Sequence, residues 1–399
     1  MHEQNEQVIE KKPRLKFIDL ARSIAIIMML EGHFTGAALS TEFRDTSYLL
    51  YAIWHNIHGL TSPLFFTVTG LVFVYLLSSN NAIPYLENIR VKKGFKRVLQ
   101  LLFWGYIIQL NLWSILKSIY YNSAFHLEWF YAFHVLQSIG GGIFLLLVIY
   151  GLYKLIGKGK LYWYYFSAGL TVFILYAYLK NYINIESDLV VNQLKPNPDY
   201  LPKNAPSIIQ NMIYGPYSDF SIVRYAGYTI FGGMLGSIIR IHEKQVLKLW
   251  FGLLFIFGGI FLSLFTQETL RLVDLLLEQT GILQDSVLEL SSTSLIRFGQ
   301  VVALLGITML IDKYTTIKSN LFLKIGQNTF PIYVVHVIVL YGGIFGFGLT
   351  PMVFNKNLDP VLSLGISLAF IFLFALFVKH IEPLERIYFN VLQRLKLKK

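Results

Sequence analysis

The sequence contains no cysteine. That removes disulfides, thiolate nucleophiles and Cys-ligated metals together, and leaves any chemistry to histidine, carboxylates, hydroxyls and amides. Charge is scarce as well: Asp, Glu, Lys and Arg make up 14% of the 399 residues, against about 25% in an ordinary soluble domain. Water is therefore not the main solvent of this chain. No repeat, coiled coil, low-complexity tract or linker stands out, so a single domain is expected over 1–399. The first apolar run is long and lacks the small-residue cleavage pattern of a signal peptide, and is expected to remain as a span. The glycine triplet Gly140, Gly141 and Gly142 has no strand before it, which excludes a phosphate-binding loop.

What is present is apolar. Hydrophobic residues make up 55% of the chain, with 32 Phe and 25 Tyr, a mix that suits helices in lipid with aromatic belts at the interfaces. Crossing a hydrocarbon core about 30 Å thick takes roughly 20 helical residues. Runs of that kind occur near 17–39, 57–77, 98–119, 131–153, 161–180, 221–241, 246–266, 294–312, 322–347 and 358–378. The expected fold is all-α, a polytopic bundle of about ten transmembrane helices in a lipid bilayer.

With a cytoplasmic N-terminus, the inside segments hold Lys11, Lys12, Arg14 and Lys16, then Arg90, Lys92, Lys93, Lys96 and Arg97, then Lys154, Lys158 and Lys160. They continue with Arg240, Lys244 and Lys248, with Lys313, Lys318 and Lys324, and with a basic tail that ends at Lys399. The opposite loops collect acids such as Glu42, Asp45, Glu268, Asp274 and Glu289. Both termini are therefore expected on the cytoplasmic side, and the net charge of +11 is topological, with no nucleic-acid partner. Two outside loops are long: 181–220, rich in Pro, Asn and Tyr, and 267–293, which reads as an amphipathic helix lying on the outer face. Compact loops, a basic inner side and the lack of cysteine suit a bacterial inner (plasma) membrane.

A polar residue inside a span costs about 2.5–3.5 kcal/mol on insertion, which makes each one a candidate for function. In the first span Asp19 and Arg22 are three apart and can pair near the inner end, either anchoring the helix at the headgroups or opening a polar track. His33 lies eleven residues beyond Arg22, on nearly the same face and about 16 Å further along. Glu31 points roughly the other way. In the ninth span Thr329, Tyr333 and His336 form one stripe, with Gln327 and Asn328 below and Pro331 loosening the backbone. His33 and His336 fall at one depth, roughly 20–24 Å above the inner end, and are expected to share a wet cavity, with His58 as the alternative partner. His134 and Gln137 begin the fourth span. His55 and His58 have the i, i+3 spacing of metal ligands, but no third ligand stands near, and no metal is expected. Arg224 and Arg297 begin outer span ends, either snorkelling to the interface or meeting an anion.

The order of these stretches resembles a known family. A basic N-terminus, then Arg22, ten residues and His33, then the SPLFFTVTG of the second span and the IGQNTFPIYVVH of the ninth, is similar to the type 3 membrane acyltransferases. The VLQSIGGG and HGLTSPLFF stretches resemble the related heparan-α-glucosaminide N-acetyltransferase branch. The resemblance implies transfer of an acyl group, commonly acetyl, from cytoplasmic acyl-CoA as co-substrate to a hydroxyl or amine on the far side. A glycan or another small polar molecule is the expected acceptor. It would put Arg22 on the donor path and His33 at the transfer site. The chemistry of the residues themselves adds Asp19, Gln137, Asn328, Thr329 and Tyr333 as binding residues, with Asn328, Thr329, Tyr333 or a second histidine as oxyanion donors. It also adds Glu31, His58 and His336 beside His33, with Glu31 able to orient the ring. The heparan branch keeps its key histidine in or beside the first outside loop, where this chain has His55 and His58, so more than one histidine stands as the base. Histidine is the natural general base near neutral pH, and direct transfer without an acyl-enzyme is the simplest route. A transporter or flippase of a polar molecule or lipid-linked sugar is the alternative, since it too needs buried polar residues. The oligomeric state is left open.

Overall fold

In lipid a backbone amide has no water to turn to, so long apolar runs close their hydrogen bonds internally as helix. The computed structural model of the chain describes residues 15–123, 128–191, 204–213, 218–281, 287–315 and 320–382. Among them are fourteen α-helices and no β-strand. They are α1 (Lys16–Ala38), α2 (Leu49–His58), α3 (Thr61–Leu77), α4 (Ile89–Ile107), α5 (Leu112–Tyr120), α6 (Val135–Ile156) and α7 (Leu161–Val191). The chain goes on through α8 (Ser207–Ile213), α9 (Ile222–Ile241), α10 (Leu249–Gln279), α11 (Ser292–Tyr314), α12 (Asn320–Gln327), α13 (Thr329–Tyr341) and α14 (Pro360–Lys379).

Six stretches are long and apolar enough to cross a membrane, namely Leu49–Leu77, α6, α9, α10, Leu288–Tyr314 and α14. There are eight if the bent pairs α4/α5 and α12/α13 each count as one span. The protein is thus an all-α polytopic membrane bundle. The two further spans expected from the sequence coincide with α1 and α7. Both are long enough to cross, but α1 carries Lys16, Asp19, Arg22 and Glu31, and α7 is rich in tyrosine. The second span starts earlier than its apolar core suggests, because α2 leads into it. The acidic stretch after residue 266 is no separate helix, since α10 runs unbroken to Gln279. Asp274 explains the ending: its buried carboxylate accepts from the backbone N–H of Leu288 (3.1 Å) and Glu289 (2.9 Å), which fastens the returning chain to α10. The basic residues before Leu15 and after Glu382, and the Pro- and Asn-rich stretch 192–203, lie outside the described residues.

Small residues let backbones touch where side chains give no hydrophobic drive between helices. On α3 and α9, a Cβ at Gly70 would stand 1.9 Å from the Thr229 carbonyl oxygen, and one at Gly232 would stand 2.0 Å from that of Thr67. These two helices pack backbone on backbone and form a rigid wall behind α1. α10, by contrast, turns Leu254, Phe257, Phe261, Leu264 and Phe265 outward, the surface a lipid-facing helix presents.

α12 and α13 meet at a 76° bend. Asn328 makes the break: its side-chain Nδ2–H donates to the Lys324 carbonyl (2.8 Å) and closes the end of α12. Pro331 falls in the first turn of α13, where its missing N–H has no intrahelical partner to lose. α12 is clasped to α1 through Ser23, whose hydroxyl accepts from Gly326 N–H (2.9 Å) and lies 2.6 Å from the Phe322 carbonyl oxygen. The other end of α1 is strapped to the chain before α14. Leu358 N–H donates to Ala38 O (2.9 Å), Lys356 N–H to Ala37 O (3.1 Å), and Ser40 N–H to Leu358 O (2.8 Å). The first two satisfy carbonyls that the end of α1 leaves orphaned.

Candidate active site

α1 and α13 lie side by side and meet through polar residues at two levels. At the lower level Arg22 Nη2 donates to Thr329 Oγ1 (3.0 Å) and its guanidinium stands 3.9 Å from the Asp19 carboxylate. Asp19 is buried and also accepts from Gln327 Nε2–H (3.1 Å). Eleven residues up α1, His33 Nδ1 and His336 Nε2 are 3.2 Å apart. Both rungs use side chains that helical spacing had put on one stripe, so the two imidazoles do come to one place. His336 has no exposed surface, whereas His33 is partly accessible.

Tyr333 sits between the rungs. Its ring meets that of His336 edge to face at 5.0 Å, and it lines two separate cavities. The first, of about 190 Å³, is walled by apolar side chains of α3, α4 and α6 and holds Arg22, Arg97, Thr329 and Phe330. Arg97 lies over the Phe330 ring, 4.7 Å from its centre. The first turn of α13, where helix N–H groups carry partial positive charge, contributes Thr329 and Phe330 to the same wall. The second cavity, of about 490 Å³, opens on the His33 side and holds Gln109, Asn111, His134, Asp219 and Tyr341. Tyr341 stands edge-on to His33 at 5.8 Å.

Glu31 and His58 flank His33 on the remaining side. Glu31 accepts from Trp54 Nε1–H (2.9 and 3.0 Å to its two oxygens) and from Thr35 Oγ1–H (2.9 Å). Among the described residues its hydrogen bonds go there and none goes to His33. Trp54 in turn stacks on His58 at 5.2 Å, and the His58 ring lies on Gly32, where a Cβ would stand 1.8 Å from Cε1. Only glycine lets that ring lie so near the α1 backbone.

The other expected residues stand apart from both cavities. Gln137 is buried beside Gly105 and donates to Gln109 Oε1 (2.9 Å), so it supports a residue of the second cavity from behind. Asn328 is occupied in ending α12. His55 is exposed and stacks on Tyr51. Arg297 donates to the Asn56 carbonyl (2.9 Å), and Arg224 packs on the rings of Tyr176 and Tyr225. No group of three potential metal ligands occurs among the described residues.

Sequence reasoning did not single out Arg97, Gln109, Asn111, Asp219, Tyr341 or Trp54. For Tyr341 a signal existed, since it lies eight residues beyond Tyr333 and so on the same helical face. Asp219 had none, because it precedes α9 outside any helical period and reaches the cavity only through tertiary packing.

Residues 15–380 match the family model described as an acyltransferase domain, of type 3. No curated protein matches the chain.

Proposed function

The chain belongs to the type 3 acyltransferase-domain family, and from that premise we propose that it moves an acyl group, acetyl in the simplest case, from cytoplasmic acyl-CoA to a hydroxyl or amine of an extracytoplasmic acceptor, a glycan in our reading. The observation that carries this proposal is the pair of cavities that share Tyr333, with the two histidines beside it. A transferase between two compartments needs a donor site and an acceptor site that meet at one reacting centre. The basic, apolar-walled cavity suits a donor with phosphate groups and a short acyl chain, since Arg22 and Arg97 can form charge-assisted hydrogen bonds to phosphate. The larger polar cavity suits the acceptor.

In this reading the acceptor O–H or N–H attacks the thioester carbonyl, and its proton passes to His33 Nε2. The C–S bond then breaks, and the released thiolate takes up a proton. His33 serves as base in the tautomer whose Nδ1–H donates to His336 Nε2, so His336 orients the ring. The Tyr333 hydroxyl is the nearest candidate donor to the oxyanion. Glu31 holds α2, and with it His58, against α1. Ten spans with both termini inside, in a bacterial inner membrane, complete the proposal.

The test is acetyl transfer by the purified protein in detergent, from radiolabelled acetyl-CoA to glycans of the cell envelope. Transfer that His33→Ala abolishes supports the proposal. Passage of the acceptor across vesicles without any acyl transfer would favour the transporter alternative.

A further inference from the structure

Asp219 is the only formally charged side chain, histidines aside, that lines the second cavity among the described residues. It is held there firmly. Phe133 N–H donates to Ser218 Oγ (2.8 Å), Phe220 N–H donates to the Phe133 carbonyl (3.3 Å), and the Ser138 hydroxyl donates to the Phe220 carbonyl. Three hydrogen bonds therefore fix the residues on both sides of Asp219 to the start of α6. The Ser218 hydroxyl continues the tie by donating to Asn211 Oδ1 (3.0 Å).

Asp219 is exposed on the cavity wall, and its carboxylate is left to solvent rather than to a protein partner. Among the described residues it makes no hydrogen bond and no ion pair, and the N-cap of α9 is Ser221, two residues on. It is close enough to His134 and Tyr341 to act on both through its charge. Among the described residues no lysine or arginine lines the cavity to neutralise it. A carboxylate with its main chain pinned and its oxygens free, facing a cavity of ligand size, is a recognition element awaiting donors from a ligand.

We propose that Asp219 binds the acceptor by taking hydrogen bonds from its hydroxyl or ammonium groups, and that it excludes acceptor units carrying negative charge. The proposal rests on reading this cavity as the acceptor site. The chemistry is complementary around the cavity wall. An ionised carboxylate is acceptor-only and can take donors on both oxygens, while Gln109, Asn111, His134 and Tyr341 offer mixed donors and acceptors for the remaining groups of a polyol. A carboxylate or phosphate on the same sugar unit would meet Asp219 with no cation between them, at a cost that grows as water is excluded. Neutral and amino sugars are thus the favoured class, and uronates the rejected one.

Binding and transfer are read separately. Thermal unfolding of the detergent-purified full chain is followed with methyl glucoside, glucosamine and glucuronate as probes. Wild-type protein is expected to bind the first two at least roughly tenfold more tightly than glucuronate, from the loss of hydrogen bonds and like-charge repulsion. Asp219→Asn should abolish this order, Asp219→Lys should make glucuronate the tightest, and Asp219→Glu should restore the wild-type order. Equal binding of the three sugars by wild-type protein, absence of binding by all three, or the wild-type order surviving in Asp219→Asn would overturn the proposal. Should the order hold while acetyl-CoA yields no acylated sugar, the acyltransferase reading falls and the Asp219 site stands.

Discussion

The two cavities that meet at Tyr333 are built from opposite chemistry. One carries two arginines on an apolar wall and the positive end of a helix. The other carries one carboxylate, two histidines, two amides and two phenols, with no arginine or lysine among the described residues. A channel for a single solute would line its whole length with groups suited to that solute. A change of character across one side chain instead suits two ligands that never exchange places, one anionic and one hydroxyl-rich.

The comparison yields tests that differ in size. The largest effect belongs at the junction: His33→Ala should lower kcat for acyl transfer by roughly 10²–10⁴, the usual contribution of a positioned base. A rise in donor KM with kcat unchanged would move His33 out of the reacting centre and into the donor cavity. Next, Arg22→Ala should raise the donor KM by roughly 10–100-fold, the worth of a hydrogen bond to a charged group, and Arg97→Ala should do so by less. Acceptor KM should stay put in both, and a shift there would erase the division between the cavities.

Tyr333→Ala removes the partition itself. Acyl-CoA hydrolysis in the absence of acceptor should then rise several-fold, because water in the wide cavity reaches the narrow one. Unchanged hydrolysis would mean that another side chain separates the two. The smallest effect is expected at Trp54→Phe, which keeps a ring beside His58 and deletes the hydrogen bond to Glu31. It should reduce stability by about 1–3 kcal/mol, read as a lower unfolding midpoint, with neither KM altered. A changed acceptor KM would draw the Trp54 flank into the acceptor cavity.

The polar stripes of the site were legible in the sequence because they are written along single helices. Arg22 and His33 on α1, and Thr329, Tyr333 and His336 on α13, each obey one helical period, and equal depths followed from counting residues. The wide cavity was legible only at His33, His134 and Tyr333, because Gln109, Asn111 and Asp219 come from helix ends and turns that only packing brings together. Helix breaks were half visible. Pro331 marked the loosened backbone, yet the 76° bend depends on Asn328 reaching back to Lys324, which no periodicity displays. The ending of α10 depended likewise on Asp274 meeting backbone fourteen and fifteen residues away.

The rung between His33 and His336 spans 303 positions of the chain, and the strap on α1 reaches as far, to Leu358. During synthesis at about 5–20 residues per second, α1 emerges first and then waits tens of seconds for α12, α13 and the segment before α14. Through that interval Asp19 lacks Gln327, Arg22 lacks Thr329 and His33 lacks His336. Their insertion therefore depends on provisional partners, whether water, lipid headgroups or the translocation machinery. Both rungs close only when α13 arrives, so a chain cut short before α12 should keep most of its helices but neither rung between α1 and α13.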